Sequence, residues 1–469
     1  MDKTMKYISS CACATMLIFI APVLAKAQLR LPSVISSGMV LQQKDSVNLW
    51  GWSNPGEKIF VKSGWNNHID STVASNGAKW KLKISTPVAG GPYEIRINTG
   101  DTITLTDVMI GEVWVCSGQS NMEMNYTWGE KDIAGELSNA YNRNIRFFQV
   151  PKTTADYPQD DVKAHWAICD SNTIKNFSAV GYFFGKKLNQ SLNIPVALIH
   201  ASWGGTPAET WTPSGLIEKD TAMMTAAKKL HTVPWWPIRP SIAFNGMIAP
   251  VTNFTIAGSI WYQGESNAGT SNTYSKLFTT MIEGWRNAWQ RKFPFYYVQI
   301  APFNYGDNLN GALLQEAQTL SMSHPNVGMV VTTDLIDSVT NIHPSKKQEV
   351  GNRLANWALA ETYKQNNIVY KSPIFVKAEK KANQLILSFD NVPTGLFSKE
   401  KMIKGFYVSD EKNEWHPAEA KLEKNKIIVL SKEVKDPVYV RYGFSNTIIG
   451  NVFSSEGLPL IPFRTDHFE

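Results

Sequence analysis

The chain has 469 residues, 43% of them hydrophobic and 18% charged, with a formal net charge of +6. That length holds two or three domains, and the balance is globular rather than disordered or fibrous. No basic cluster marks a nucleic-acid surface, and eight scattered histidines without a His-Glu-x-x-His pattern give no metal site.

The first 27 residues read as an export signal. Lys3 and Lys6 form a basic start, residues 16–24 an apolar middle, and Ala25-Lys26-Ala27 a small-x-small cleavage site. The mature chain is expected to begin at Gln28, in the periplasm or outside the cell. Cleavage removes Lys3, Lys6, Lys26 and Asp2 and lowers the net charge from +6 to +4. The apolar run is too short for a membrane span, and no later run reaches about 20 apolar residues. Cys11 and Cys13 leave with the signal, so Cys116 and Cys169 remain. Export permits a disulfide between them. Two buried thiols are the plainer reading.

Residues 28–106 read as a small β domain. Val47-Asn48-Leu49-Trp50-Gly51-Trp52, Trp80-Lys81-Leu82-Lys83-Ile84 and Tyr93-Glu94-Ile95-Arg96-Ile97 alternate apolar and polar. Asn54-Pro55-Gly56, Ser75-Asn76-Gly77 and Gly90-Gly91-Pro92 turn the chain between them. Short strands at this spacing suggest a sandwich, either a sugar-binding module or a structural partner of the adjoining domain.

Residues 107–365 alternate strands and helices. Apolar runs at 108–116, 194–199, 254–261, 294–300 and 327–331 read as buried strands. Helical stretches lie at 180–192, 274–289, 313–322 and 345–363. The alternation predicts an α/β fold with a parallel sheet covered on both faces. Residues 123–176 are less regular and suit an insertion. In the loop Val233-Pro234-Trp235-Trp236-Pro237 the paired tryptophans suit a sugar cleft or plain packing. Residues 366–469 return to alternation at 384–389, 426–430 and 438–442, a second β domain.

Four loops follow strands of the one sheet. Ser117-Gly118-Gln119-Ser120 ends the first strand, and Ser202-Trp203-Gly204-Gly205-Thr206-Pro207 follows the second. Gln263-Gly264-Glu265-Ser266-Asn267 follows the third, and Thr340-Asn341-Ile342-His343-Pro344-Ser345 follows the last. Parallel strands bring such ends to one edge, where α/β proteins place their working residues. A serine there is a nucleophile once a base reaches it. It also serves as an ordinary turn or cap residue. Met122 excludes the Gly-x-Ser-x-Gly elbow. Ser345 with Gln348 reads as a capping box that would fix the helix start beside His343.

The run Val113-Trp114-Val115-Cys116-Ser117-Gly118-Gln119-Ser120-Asn121-Met122 resembles the nucleophile block of the sialate O-acetylesterase family. That family belongs to the SGNH hydrolases, esterases on a flavodoxin-like sheet. The three later loops resemble its other blocks. The resemblance implies Ser120 as nucleophile and His343 as base. It implies Gly205 or Gly204, with Gln263, as oxyanion donors, and Glu265 as the acceptor that orients His343. It implies removal of O-acetyl groups from sugars, sialate first, with acetylated xylan or pectin oligosaccharides as alternatives. This chemistry needs no metal and no cofactor. A non-catalytic carbohydrate-binding protein is the rival of another class. The sequence departs from the commoner SGNH pattern at one point. Thr340 stands where many members carry an Asp three residues before the His, so Glu265, Asp334, Asp337 or a backbone carbonyl must orient the imidazole.

Overall fold

The computed structural model describes residues 28–306 and 308–466. The expected signal segment, with Cys11 and Cys13, lies outside the described residues.

One strand organises the molecule. β1, Thr102–Gly118, is 17 residues long and changes character along its length. Its first residues alternate and pair antiparallel with Gly90–Asn98. From Val108 onward every residue is buried, as in a parallel strand covered on both faces. The boundary expected at 106/107 falls inside this strand. Core residues of the N-terminal segment, such as Ile59, Val61 and Ile97, sit in one apolar cluster with Val113 and Val115.

The central sheet adds β2 (Asn142–Gln149), β3 (Trp166–Cys169), β4 (Val196–Ser202), β5 (Gly258–Tyr262), β6 (Phe295–Val298) and β7 (Val327–Val330). Their order is β7-β6-β5-β1-β4-β2-β3. All neighbours run parallel except the β2–β3 pair, an antiparallel hairpin supplied by the irregular 123–176 region. The chain leaves β1 to build one side of the sheet and later returns to build the other. That reversal opens a crevice at the carboxyl ends beside β1.

Helices cover both faces. They include α1 (Ser120–Glu123), α2 (Ala179–Leu192), α3 (Ser271–Trp289), α4 (Asn310–Leu320) and α5 (Lys347–Trp357). Successive residues of a strand face opposite ways. Val113 and Val115 therefore belong to one apolar cluster with Leu277, Phe278, Met281 and Trp285 of α3, whereas Trp114 and Cys116 belong to another with Val180, Phe184 and Leu188 of α2 and Leu354 of α5. The buried stripe on α3 recurs every three or four residues, as one helical face must. Each fully buried large side chain contributes about 1.5–3 kcal/mol. Cys116 and Cys169 are buried free thiols, and burial pushes the Cys169 thiol up to about 12.

The C-terminal strands, including Ile374–Lys381, Gln384–Asp390 and Lys426–Leu430, surround a separate core containing Leu387, Ile427, Val429 and Val440. Arg464 ties this part to Glu316 of α4 at 2.8 and 2.9 Å. Among the described residues no helix is long and apolar enough to cross a membrane.

The capping box expected at Ser345 and Gln348 does not form. The Ser345 hydroxyl and N–H both donate to Asp337, and α5 starts two residues later, without a side-chain cap.

Candidate active site

β1 ends at Gly118, whose φ of +139° and close approach to the Tyr262 carbonyl leave no room for a side chain. The chain turns there, and Gln119 N–H donates to the Tyr262 carbonyl at 3.0 Å. The Gln119 side-chain oxygen accepts from the Gly264 and Ser266 N–H groups, tying the β1 and β5 loops together. Ser120 opens the single turn of α1. Its Oγ lies 2.9 Å from His343 Nε2.

The loop carrying His343 is braced at several points. The Asp337 carboxylate accepts from Ser345 N–H and Oγ–H, both at 2.9 Å, and so closes the segment around the histidine. Asp334 takes a two-point bond from the Arg353 guanidinium at 2.8 and 2.6 Å. Asn341 Oδ1 accepts the His343 N–H at 3.0 Å. Both aspartates considered as partners of the imidazole are therefore engaged in holding its loop.

Beneath the pair lies a buried polar cluster. Asn121 Nδ2 donates to Glu265 Oε1 at 2.5 Å and to the Ile342 carbonyl at 3.0 Å. Its Oδ1 accepts from Lys347 Nζ at 2.6 Å. Lys347 is fully buried, and desolvation pulls its ammonium down to about 8. Burial likewise raises the Glu265 carboxyl above the usual range, and Glu130 nearby is pushed up to about 7. Burial, then the Lys347 charge, lowers the His343 imidazole below its ordinary value. The direct bond expected between His343 and Glu265 is not present. Glu265 instead reaches the histidine loop through Asn121 and the Ile342 carbonyl. Its second oxygen is buried without a hydrogen-bond partner among the described residues.

The oxyanion donors need one correction. Gln263 is fully buried, and its amide donates to Asn267 Oδ1 at 2.8 Å and to the Thr206 carbonyl at 3.3 Å. Its carbonyl oxygen accepts from Tyr274. With the amide so engaged, the Gln263 side chain supports the β5 loop and does not present a donor at Ser120. Of the two glycines after β4, Gly204 gives its N–H to Glu123 Oε2 at 2.6 Å. No acceptor among the described residues takes the N–H of Gly205 or of Ser120. Gly205 sits at φ +80° with the Trp236 ring against it. It borders a cavity of about 380 Å³ shared with Trp236, Ser266 and His231. A cavity of about 490 Å³ lies at the opposite ends of β6 and β7 and touches none of these residues.

Asn121, Glu123 and Lys347 were not singled out by sequence. Asn121 and Glu123 lie in or beside the nucleophile block, but their partners come from distant loops. Lys347 follows Lys346, and nothing in the pair tells which one is buried.

The family model for carbohydrate esterases described as sialic acid-specific acetylesterases matches residues 110–360. The sialate O-acetylesterase of Pongo abelii is 31% identical, covering 83% of this chain and 82% of its own length. The Homo sapiens sialate O-acetylesterase is 30% identical over the same shares. The crystal structure of a carbohydrate acetylesterase from Xanthomonas citri superposes with a TM-score of 0.86 at 32% identity, covering 94% of this chain and all of that one. The matched span contains all four strand-end loops, and the chain belongs to the sialic acid-specific acetylesterase family of carbohydrate esterases.

Proposed function

We propose that this protein is an exported serine esterase that hydrolyses O-acetyl esters on sugars, with 9-O-acetylated sialate as the favoured substrate. The observation that carries the reading is the 2.9 Å contact of Ser120 Oγ with His343 Nε2 at the crevice beside β1. A purely binding protein has no use for that contact. Neutral acetylated xylan and acetylated pectin oligosaccharides are the alternative substrates.

In the proposed reaction His343 Nε2 takes the Ser120 proton as Oγ attacks the acetyl carbonyl carbon. The Ser120 and Gly205 N–H groups, which have no other acceptor among the described residues, receive the tetrahedral oxyanion. The bond to the sugar oxygen then breaks, and His343 returns the proton to that oxygen. Water, deprotonated by the same nitrogen, attacks the acetyl-Ser120 carbonyl. Acetate leaves, and Ser120 regains its proton. Glu265 acts through Asn121 and through its own charge to hold the imidazole and favour its protonated state. The 2-1-3-4-5 order of β4, β1, β5, β6 and β7 supports a flavodoxin-like SGNH hydrolase core, with the N-terminal β segment joined to it through β1 and a β domain following it from residue 366.

The test is acetate release from three purified substrates: 9-O-acetyl sialate, acetylated xylo-oligosaccharides and acetylated pectin oligosaccharides. Turnover highest on the sialate supports the reading. Turnover highest on the xylo- or pectin oligosaccharides overturns the substrate, and none on any, nor on a chromogenic acetate ester, overturns the activity.

A further inference from the structure

Glu123 closes the turn that Ser120 opens, so the two side chains share a face of α1 three residues apart. Glu123 is 7% exposed. One carboxylate oxygen accepts the Gly204 N–H at 2.6 Å, and the other pairs with Lys152 Nζ at 2.5 Å. A side-chain carbon at Gly204 would stand 3.3 Å from both Ser120 Cβ and Glu123 Oε2. Ser120 Cβ and the carboxylate oxygen therefore flank the same glycine, and the carboxylate stands near the place where the reaction builds a negative charge. Satisfying an N–H needs only a neutral acceptor. A bare carboxylate would oppose the oxyanion. Lys152, which follows β2 at the same edge of the sheet, supplies the compensating charge and sits between the Trp128 and Trp203 rings, 5.5 and 5.8 Å from their centres.

We propose that Glu123 and Lys152 form a charge-balanced clamp on the oxyanion hole. Glu123 anchors Gly204, so that the adjacent Gly205 N–H stays presented to the crevice. Lys152 cancels the anchor's charge. Both are positioning residues, since neither touches the acetyl group. The inference rests on Ser120 being the nucleophile.

The test is a double-mutant cycle with steady-state kinetics on a small chromogenic acetate ester and thermal melting alongside. Lys152→Met leaves Glu123 uncompensated and lowers kcat on the order of 10²-fold, the size of one unit charge acting over a few ångströms at protein dielectric, with KM changed less than about 3-fold. Lys152→Arg keeps the charge and retains activity. Glu123→Gln still accepts the Gly204 N–H and stays within about 10-fold of wild type, while Glu123→Ala falls well below it. The telling variant is Glu123→Gln with Lys152→Met. With no anion to cancel, it recovers to the level of Glu123→Gln alone. A double variant as poor as Lys152→Met, or a Lys152→Met with unchanged kcat, overturns the clamp. Ser120→Ala is run in parallel. If it still turns over, the underlying reading fails. If it is dead while the cycle shows no coupling, the clamp alone fails.

Discussion

Glu265→Gln changes one oxygen to an amide nitrogen inside a buried polar cluster. The native carboxylate accepts from Asn121 at 2.5 Å, stands within the field of buried Lys347, and keeps its second oxygen unpartnered among the described residues. Replacing the charged acceptor by a neutral one removes about half of a bond worth roughly 1.5–3 kcal/mol, a modest loss of stability. The kinetic loss is larger, because the charge that favours an imidazolium disappears. One unit charge several ångströms away at an effective dielectric of about 20 is worth on the order of 1–3 kcal/mol, or roughly 10- to 10²-fold in kcat. The loss on amide substitution in a serine protease triad, about 10⁴, is an upper bound. Asp334→Asn weakens the Arg353 bond and Asp337→Asn weakens the tie to Ser345. Both loosen the loop, and each should cost kcat less than about 10-fold, since the imidazole keeps its Glu265 charge. The assay is kcat on an acetyl ester for the three variants with melting curves. An aspartate variant that loses as much as Glu265→Gln, or a Glu265→Gln within about threefold of wild type, refutes the reasoning.

A histidine base works only when neutral, and burial and then Lys347 lower the His343 imidazole. The acid limb of kcat/KM should therefore lie below the ordinary histidine value, and Lys347→Met, which removes the cation, should move it upward. A limb at or above the ordinary value, or one unmoved in the variant, counts against this assignment. Gly205→Ala puts a methyl at φ +80° against the Trp236 ring, which should cost at least 1–2 kcal/mol and about 10-fold or more in kcat. Steady-state kinetics with normal turnover would remove Gly205 from the oxyanion hole. Terminal sequencing of protein recovered outside the cytoplasm should find Gln28 first. Recovery from the cytoplasm with Met1 intact would refute export.

The sheet was legible because its strands carry continuous apolar runs with turn residues at their ends. The expected strand at 108–116 lies inside β1, and the helix expected at 180–192 matches α2 closely. The strand boundary with the N-terminal segment was not legible. The change from alternating to continuous burial in β1 falls at Asp107, which takes φ +54° beside an irregularity in the ladder, yet the strand continues past it where a turn residue reads as a boundary. Ser120 and His343 were placed by strand-end position and motif, and the loops meet because the sheet is parallel. Side-chain direction was not readable. Gln263 and Glu265 are two residues apart, yet one faces Asn267 and Thr206 and the other faces Asn121. The Ser345-x-x-Gln348 pattern looked like a cap, but Asp337 competes for the same hydroxyl and N–H from eight residues upstream. Lys347 and Glu123 owe their roles to partners more than 80 residues away or in separate loops, which local pattern does not encode.

The most direct test of Ser120 as nucleophile is covalent trapping. The protein should be treated with a fluorophosphonate, digested and mapped by mass spectrometry, with residual acetate release measured on the same samples. The account predicts a single phosphonyl adduct on Ser120, formed in proportion to the activity lost and strongly slowed by His343→Ala. Full loss of activity with the adduct on another residue, or a fully labelled Ser120 with activity intact, would contradict it.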